Sequence, residues 1–303
     1  MLGLFLQNVF NALQWGSFYS MIALGYCLVY GVLRLINFAH GDIFMTACYI
    51  AFFVAGALLL SLGGGGWVVF ALTMVITMIF TALLGVTIER VAYRPLRNKG
   101  VNRLYVVITA LMVGYILENG NLAVLGANAR RFPTLIAEQV LRLGPVVLTN
   151  LKVLVIAAAV TVFIILQLIV QKTTFGMAMR AVSYDKFAIP LMGIPVNRII
   201  TFTFVLGSAL AAVAGILFGM SYPVMDPYMG AIIGWKAFIA AVVGGIGDIK
   251  GAFLGGFILG FIEIFITAVL PSSFKDLFSF VILLVILVLK PTGFFGVARS
   301  TKI

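Results

Sequence analysis

The sequence predicts an all-α membrane protein, a polytopic bundle of about 8 transmembrane helices within a range of about 7 to 10. Three observations carry this. Of 303 residues, 63% are hydrophobic and 10% are charged, whereas a soluble domain holds about 45–50% apolar and about 25% charged residues. Apolar blocks recur at the length of about 20 residues that a helix needs to cross a hydrocarbon core about 30 Å thick. Most of the charge falls between those blocks. The same figures exclude a disordered chain, a collagen and, with two cysteines, a disulfide scaffold.

The first element is an apolar stretch over 2–14 whose polar residues, Gln7, Asn8, Asn11 and Gln14, lie three or four apart and share one helical face. It reads equally as an interfacial helix or as the tilted start of a first crossing that runs to Arg34. No basic residue precedes Arg34, so a cleavable signal is not expected. The second block covers 43–61 and ends in Gly63 to Gly66. The third runs from Trp67, an interfacial aromatic, to Ile88. The densest charge follows, in Glu89, Arg90, Arg94, Arg97, Lys99 and Arg103. A fourth crossing ends near Glu118, and 119–150 reads as a long outer loop. A fifth spans about 151–170, and a polar loop fills 172–198. A sixth spans 199–220. The stretch 231–270 is apolar but interrupted by glycines and Asp248 over 244–251, which predicts a broken helix: either two half-helices joined by a hairpin or a segment lining a pathway. A last crossing covers 277–289. Residues 1–303 thus form a single transmembrane domain.

The net charge of +11 does not indicate nucleic acid, because the 20 basic residues are scattered among apolar blocks and do not cluster on one soluble face. Basic loops face the cytoplasm, which places 89–103, 172–198 and the C-terminal tail with Lys290, Arg299 and Lys302 inside, and 119–150 outside. Cys27 and Cys48 read as buried small hydrophobes. In the second half Gly215–Gly219, Gly230–Gly234, Gly251–Gly255 and Gly256–Gly260 are GxxxG pairs, read as close helix packing within the membrane in preference to a dimer seam.

Little in the chain is catalytic. His40 is the one histidine, so HExxH and bis-histidine haem sites are excluded; no GxSxG or GxxxxGK[ST] motif occurs. No metal site and no cofactor are expected. Mid-span acids are few. Glu263 is read as structural and paired, with a place on a translocation path as its alternative; Lys236, beside Trp235, is expected to snorkel to the interface. Asn37, His40 and Asp42 form a polar turn before an apolar run, read as a cap supplied by Asp42, with a gate element as the alternative. Glu118, Asn119 and Asn121 are candidates for an outer vestibule. Between Phe175 and Ile189 a short amphipathic helix is expected, with Met177, Ala181, Tyr184 and Ala188 on its apolar stripe, Ala178, Val182 and Ile189 alongside, and Pro190 ending it. That stripe needs a lipid surface or a groove on a partner.

Three stretches carry a resemblance. They are GYCLVYGVLRLINFAHGDIFM (25–45), GMAMRAVSYDKFAIPLMGIPVNRIITFTFVLGSALAAVAGIL (176–217) and AFIAAVVGGIGDIKGAFLGGFILGFIE (237–263). The chain closely resembles the permease subunit of branched-chain amino acid ABC importers, although Met177 stands where a basic residue is expected. The resemblance implies a prokaryotic inner-membrane complex with a second related permease, two cytoplasmic ATPase subunits that bind the ATP, and an external substrate-binding protein. It implies that the helix in 172–198 docks on an ATPase, with Gly176, Arg180, Ala181, Asp185 and Gly193 in that contact, and that Ala181→Trp blocks transport. The competing readings are a stand-alone carrier or channel for a small polar solute such as urea, for which coupling carboxylates are lacking, and an intramembrane enzyme.

Overall fold

A computed structural model describes residues 2–185 and 189–296. Among the described residues seven helices are long and apolar enough to span a membrane, and Met229–Gly244 is a shorter apolar one. The described residues are predominantly helical, as expected.

Helix α1, Leu2–Leu33, is one unbroken helix of 32 residues. Part of the polar face near its start is used in packing within the chain. Gln7 donates to the Val147 carbonyl at 3.1 Å and accepts from the Val147 N–H at 2.8 Å, and Asn11 accepts from Lys152 Nζ at 2.6 Å. From Ala12 onward α1 is almost wholly buried and forms the axis of the bundle. It ends at Arg34, whose φ of 59° is the left-handed stop that glycine or asparagine usually supplies. Helix α2 is His40–Leu62, ended by Gly63 at φ 72°. Helix α3, Trp67–Ile88, continues through a π turn at Glu89–Tyr93 into α4, Arg94–Asn98. Pro95 has no N–H for the Val91 carbonyl, so the ladder is already broken where the turn widens.

Helix α5 is Arg103–Leu125. It runs past Glu118 and therefore takes the first residues of the expected loop 119–150. The rest of that loop carries two small antiparallel pairings. Strand β1, Arg130–Arg131, pairs with β4, Val224–Met225; β2, Val140–Leu143, forms a hairpin with β3, Val146–Thr149. Helices α6, Asn150–Lys172, α7, Thr174–Tyr184, and α8, Val196–Ser221, follow. Then come α9, Met229–Gly244, α10, Ile249–Val269, and α11, Phe274–Leu289. At 16 residues each, α9 and α11 reach about 24 Å, short of a full hydrocarbon core unless the bilayer thins around them.

The break at 244–251 is a tight helical hairpin. Gly245 and Gly247 hold φ of 113° and 99°, a region that side-chain-bearing residues rarely enter. The last carbonyls of α9 do not go unpaired: Val243 O accepts from the Phe294 N–H and Gly244 O from the Phe295 N–H, each at 2.9 Å. Asp248 caps α10, accepting from the Gly251 N–H at 2.7 Å. Asp248→Ala is therefore expected to lower stability by about 1 kcal/mol, read as a small fall in unfolding midpoint in detergent, with Asp248→Ser restoring most of it.

All four GxxxG pairs are used inside the chain, as the packing interpretation expected. A Cβ on Gly256 or Gly260 would run into Ser20, Gly16 and Ala12 of α1; one on Gly251 or Gly255 would run into Gly244 and Ala240 of α9. Helix α10 thus presents one glycine face to each neighbour and lies antiparallel to both. Gly215 and Gly219 meet Phe44, Ala47 and Cys48 of α2, and Gly230 and Gly234 meet Gly41. Cys27 and Cys48 are free and buried.

Candidate functional site

Three places in the bundle hold the polar residues singled out from the sequence. The first is the segment around α7. Thr173 caps the helix, accepting from the Gly176 N–H at 3.1 Å, and donates to the Ile169 carbonyl at 2.5 Å. Gly176 is buried, and a Cβ there would overlap the Ile169 and Val170 carbonyls, so it shapes the reversal from α6 into α7. Arg180 ties the helix to the end of α6 by donating to the Val170 carbonyl. The inner face is Gly176, Met179 and Val182. The stripe read from the sequence is split: Met177 is 62% and Tyr184 84% exposed and Ala181 is half-buried against the core, whereas Val182 and Ile189, read alongside it, are buried. Leu191 and Met192, in the short 3-10 turn Ile189–Met192, are 89% and 74% exposed. Asp185 ends α7, and Gly193 holds φ of 75° in the turn into α8. Lys186 and Ala188 of the predicted helix lie outside the described residues, as does the tail 297–303 with Arg299 and Lys302.

A buried clamp braces the same region. Glu89, in the π turn, is fully buried; its carboxylate accepts from Arg94 Nη2 at 2.6 Å, Arg97 Nη2 at 3.2 Å and Thr201 Oγ1 at 3.2 Å. Arg94 also donates to Thr201 Oγ1 at 2.8 Å, and Arg97 to Asn197 Oδ1 at 2.7 Å. The first turns of α8, just after Gly193, are thereby fixed to the end of α3. The sequence showed the dense charge but not that its one acid organises two arginines.

The second place is the start of α2. Asn37, His40 and Asp42 are all buried. The capping role expected of Asp42 is not found. The cap position is Ala39, with no side-chain cap bond, because the helix begins two residues before Asp42. Asn37 accepts from Tyr93 OH at 2.6 Å, which links this turn to the clamp's π turn. The His40 ring lies edge-on to Tyr26, and Gly25 leaves room for it. Beside Asp42, α5 contributes Glu118, and both line a cavity of about 310 Å³. Asn119 points elsewhere: it is exposed and its amide donates to the Tyr115 carbonyl of its own helix at 2.9 Å. Asn121 is used between helices, donating to Thr46 Oγ1 at 3.2 Å. Glu118 and Asn119 are neighbours on a helix and so face about 100° apart, which separates the lining residue from the exposed one.

The third place is Glu263, which lines none of the cavities described here. Its carboxylate accepts from Tyr19 OH at 2.6 Å and Ser279 Oγ at 3.1 Å, and pairs with Lys236 Nζ at 2.9 Å; Lys236 Nζ also lies 2.7 Å from Asp276 Oδ1. This joins α1, α9, α10 and α11. Glu263 is thus paired inside the bundle, the arrangement its structural reading expects. Lys236 does not snorkel: it is 5% exposed, because its partner lies inside the bundle.

Two further cavities flank the bundle. One, about 460 Å³, lies at the end that carries the strands, lined by Asn11, Gln14, Lys152 and Tyr222 among others; burial pushes the Tyr222 phenol up to about 12. The other, about 630 Å³, lies between α7, the end of α1 and the turn between α9 and α10. Among the described residues no group of three or more His, Cys, Asp or Glu could hold a metal.

The fold and these sites define a polytopic helical membrane protein whose surface helix is braced from inside the bundle. The chain belongs to the family described as branched-chain amino acid transport system / permease component, which matches residues 8–288. It is 38% identical to the high-affinity branched-chain amino acid transport system permease protein LivH of Escherichia coli (strain K12), over 99% of this chain and 98% of that one. It is 40% identical, with the same coverage, to the corresponding permease protein BraD of Pseudomonas aeruginosa. A probable LivH permease of Methanocaldococcus jannaschii is 29% identical over 95% of this chain and 91% of that one. Family membership does not favour the stand-alone urea-type carrier.

Proposed function

We propose that this chain forms half of the translocation path of an ATP-driven importer of branched-chain amino acids. A second related permease completes the path, two cytoplasmic ATPase subunits supply the energy, and an external binding protein delivers the cargo. The observation that carries the coupling is the outer edge of α7. Met177, Leu191 and Met192 are exposed on a helix and turn whose inner residues are buried. Long apolar side chains at this density suit a groove on a protein partner. The brace from Glu89 to α8 gives such a contact a stiff lever: movement at α7 and Gly193 passes to α8 and α3 together. Arg180 serves here by holding α7 to α6 and Gly176 by shaping the turn, so within the set 176–193 the docking contact falls on the outer residues. This face is cytoplasmic, and the strand-bearing end, with its 460 Å³ cavity, faces the binding protein.

Met177→Glu tests the contact. A carboxylate forced into an apolar docking groove is expected to weaken ATPase binding by about 2 kcal/mol, roughly thirtyfold. The permease should still insert and remain monodisperse, while co-purification of the ATPase and ATP-driven leucine uptake in proteoliposomes collapse. Unchanged co-purification and uptake would remove α7 as the docking helix. Met177 is a cleaner site than Ala181, because tryptophan at the half-buried Ala181 would also press on the core.

A further inference from the structure

Among the described residues three acidic side chains are buried, namely Asp42, Glu89 and Glu263. Two are compensated: Glu89 by two arginines and Glu263 by a lysine. Asp42 is not. It is 8% exposed, its Oδ1 has no hydrogen-bond partner, and no basic side chain lies within 4 Å of it among the described residues. It lines the 310 Å³ cavity together with Glu118, Tyr26, Tyr115, Tyr228 and Trp235, and no lysine or arginine lines that cavity. Two glycines let the backbone pack closely against its carboxylate. A Cβ at Gly230 would lie 2.9 Å from Oδ1, and one at Gly114 would overlap Oδ2.

A buried carboxylate without a counter-ion is costly unless a cation arrives. The walls narrow the choice of cation. Aromatic faces attract an organic ammonium and also accommodate hydrocarbon, and the cavity volume sits at the lower end of the roughly 300–1,000 Å³ typical of small-molecule sites. We propose that this cavity is an intramembrane subsite for the ammonium group of the transported amino acid, held between Asp42 and Glu118, with its hydrocarbon side chain against the aromatic wall. The inference rests on the amino acid import proposed above. Among the residues lining the cavity no cation opposes the substrate carboxylate, so the site holds one end of the zwitterion only, which suits passage better than storage.

The test uses the assembled transporter with its ATPases in proteoliposomes, carrying Ala231→Cys on the cavity wall; the native cysteines are buried. The introduced thiol is reacted with a trimethylammonium and with a sulfonate methanethiosulfonate. Corrected for their rates with a free thiol, the cationic reagent is expected to react about tenfold faster. Adding Asp42→Asn and Glu118→Gln should bring the ratio close to unity. Should Asp42→Asn fail to assemble, Glu118→Gln alone is expected to remove about half of the preference on a logarithmic scale. Leucine should protect the thiol, and 4-methylpentanoate, which lacks the ammonium, should not. Equal rates, a preference indifferent to both substitutions, or equal protection by the two acids would overturn the subsite. ATP-driven leucine uptake by the unmodified transporter is read in parallel. Absent uptake with the charge preference intact overturns the import reading and leaves the cavity an ammonium site; intact uptake without the preference overturns the subsite alone.

Discussion

Lys236→Met is expected to cost about 3–5 kcal/mol of stability. The substitution strands Glu263, which is 4% exposed, without a counter-ion in the centre of four helices. Tyr19 and Ser279 still donate to the carboxylate, but two neutral donors do not replace a cation in a medium where water is excluded. Asp276, the other partner of Lys236, has a side chain that is 52% exposed and is expected to return to solvent at little cost. The measurement is the thermal or denaturant midpoint of the purified permease in detergent, together with the yield of monodisperse protein. Adding Glu263→Leu to Lys236→Met should recover most of the loss, because replacing both members of a buried pair with apolar groups of similar size is often neutral. If the single variant unfolds at the wild-type midpoint, the network is not what holds α9 and α11 to the axis.

Gly256→Leu is the second large effect. The position faces Ser20, and even a methyl group would overlap that residue's backbone and hydroxyl. Leucine must drive α10 away from α1 and break the hydrogen bond from Ser20 Oγ to the Phe253 carbonyl, 2.6 Å long. Overpacking alone costs about 1–3 kcal/mol, and the lost contact along the bundle axis raises the expected total to about 3 kcal/mol or more. The control is Gly56→Leu in α2, where a Cβ meets nothing within 4 Å. That change should stay within about 0.5 kcal/mol. Equal midpoints for the two variants would show that the glycine faces are not what sets the approach of α10 to α1.

Much of the architecture was legible from local pattern. Hydropathy over about 20 residues located the long helices, and glycines at 245 and 247 located the hairpin, because each is a property of a short stretch. A helix starting near Phe175 was visible for the same reason, but it ends at Tyr184 and not at Pro190, which lies in a separate 3-10 turn. Its facing was legible only in part: Met177 and Tyr184 lie on the outer edge, but Val182, read alongside them, turns inward with Met179. The polar residues were harder. Asp42 looked like a cap because short acids before apolar runs commonly are caps; the helix in fact begins at His40, and element ends are the least certain part of any pattern. Glu118 and Asn119 looked equivalent, and only the rotation of α5 against α2 divides them.

The sequence alone determined that the chain spans a membrane repeatedly, where it turns, that it lacks the histidine pairs and phosphate loop of the enzyme classes considered, and which family its motifs match. Tertiary structure alone decided who meets whom. Tyr19 and Glu263 are 244 residues apart, and Glu89 and Thr201 are 112 apart. In lipid no hydrophobic force selects which face of a helix turns inward. That selection comes from glycine contacts and buried charges found only once distant segments lie side by side, which is why the compensated acids and the uncompensated Asp42 could be told apart only in three dimensions.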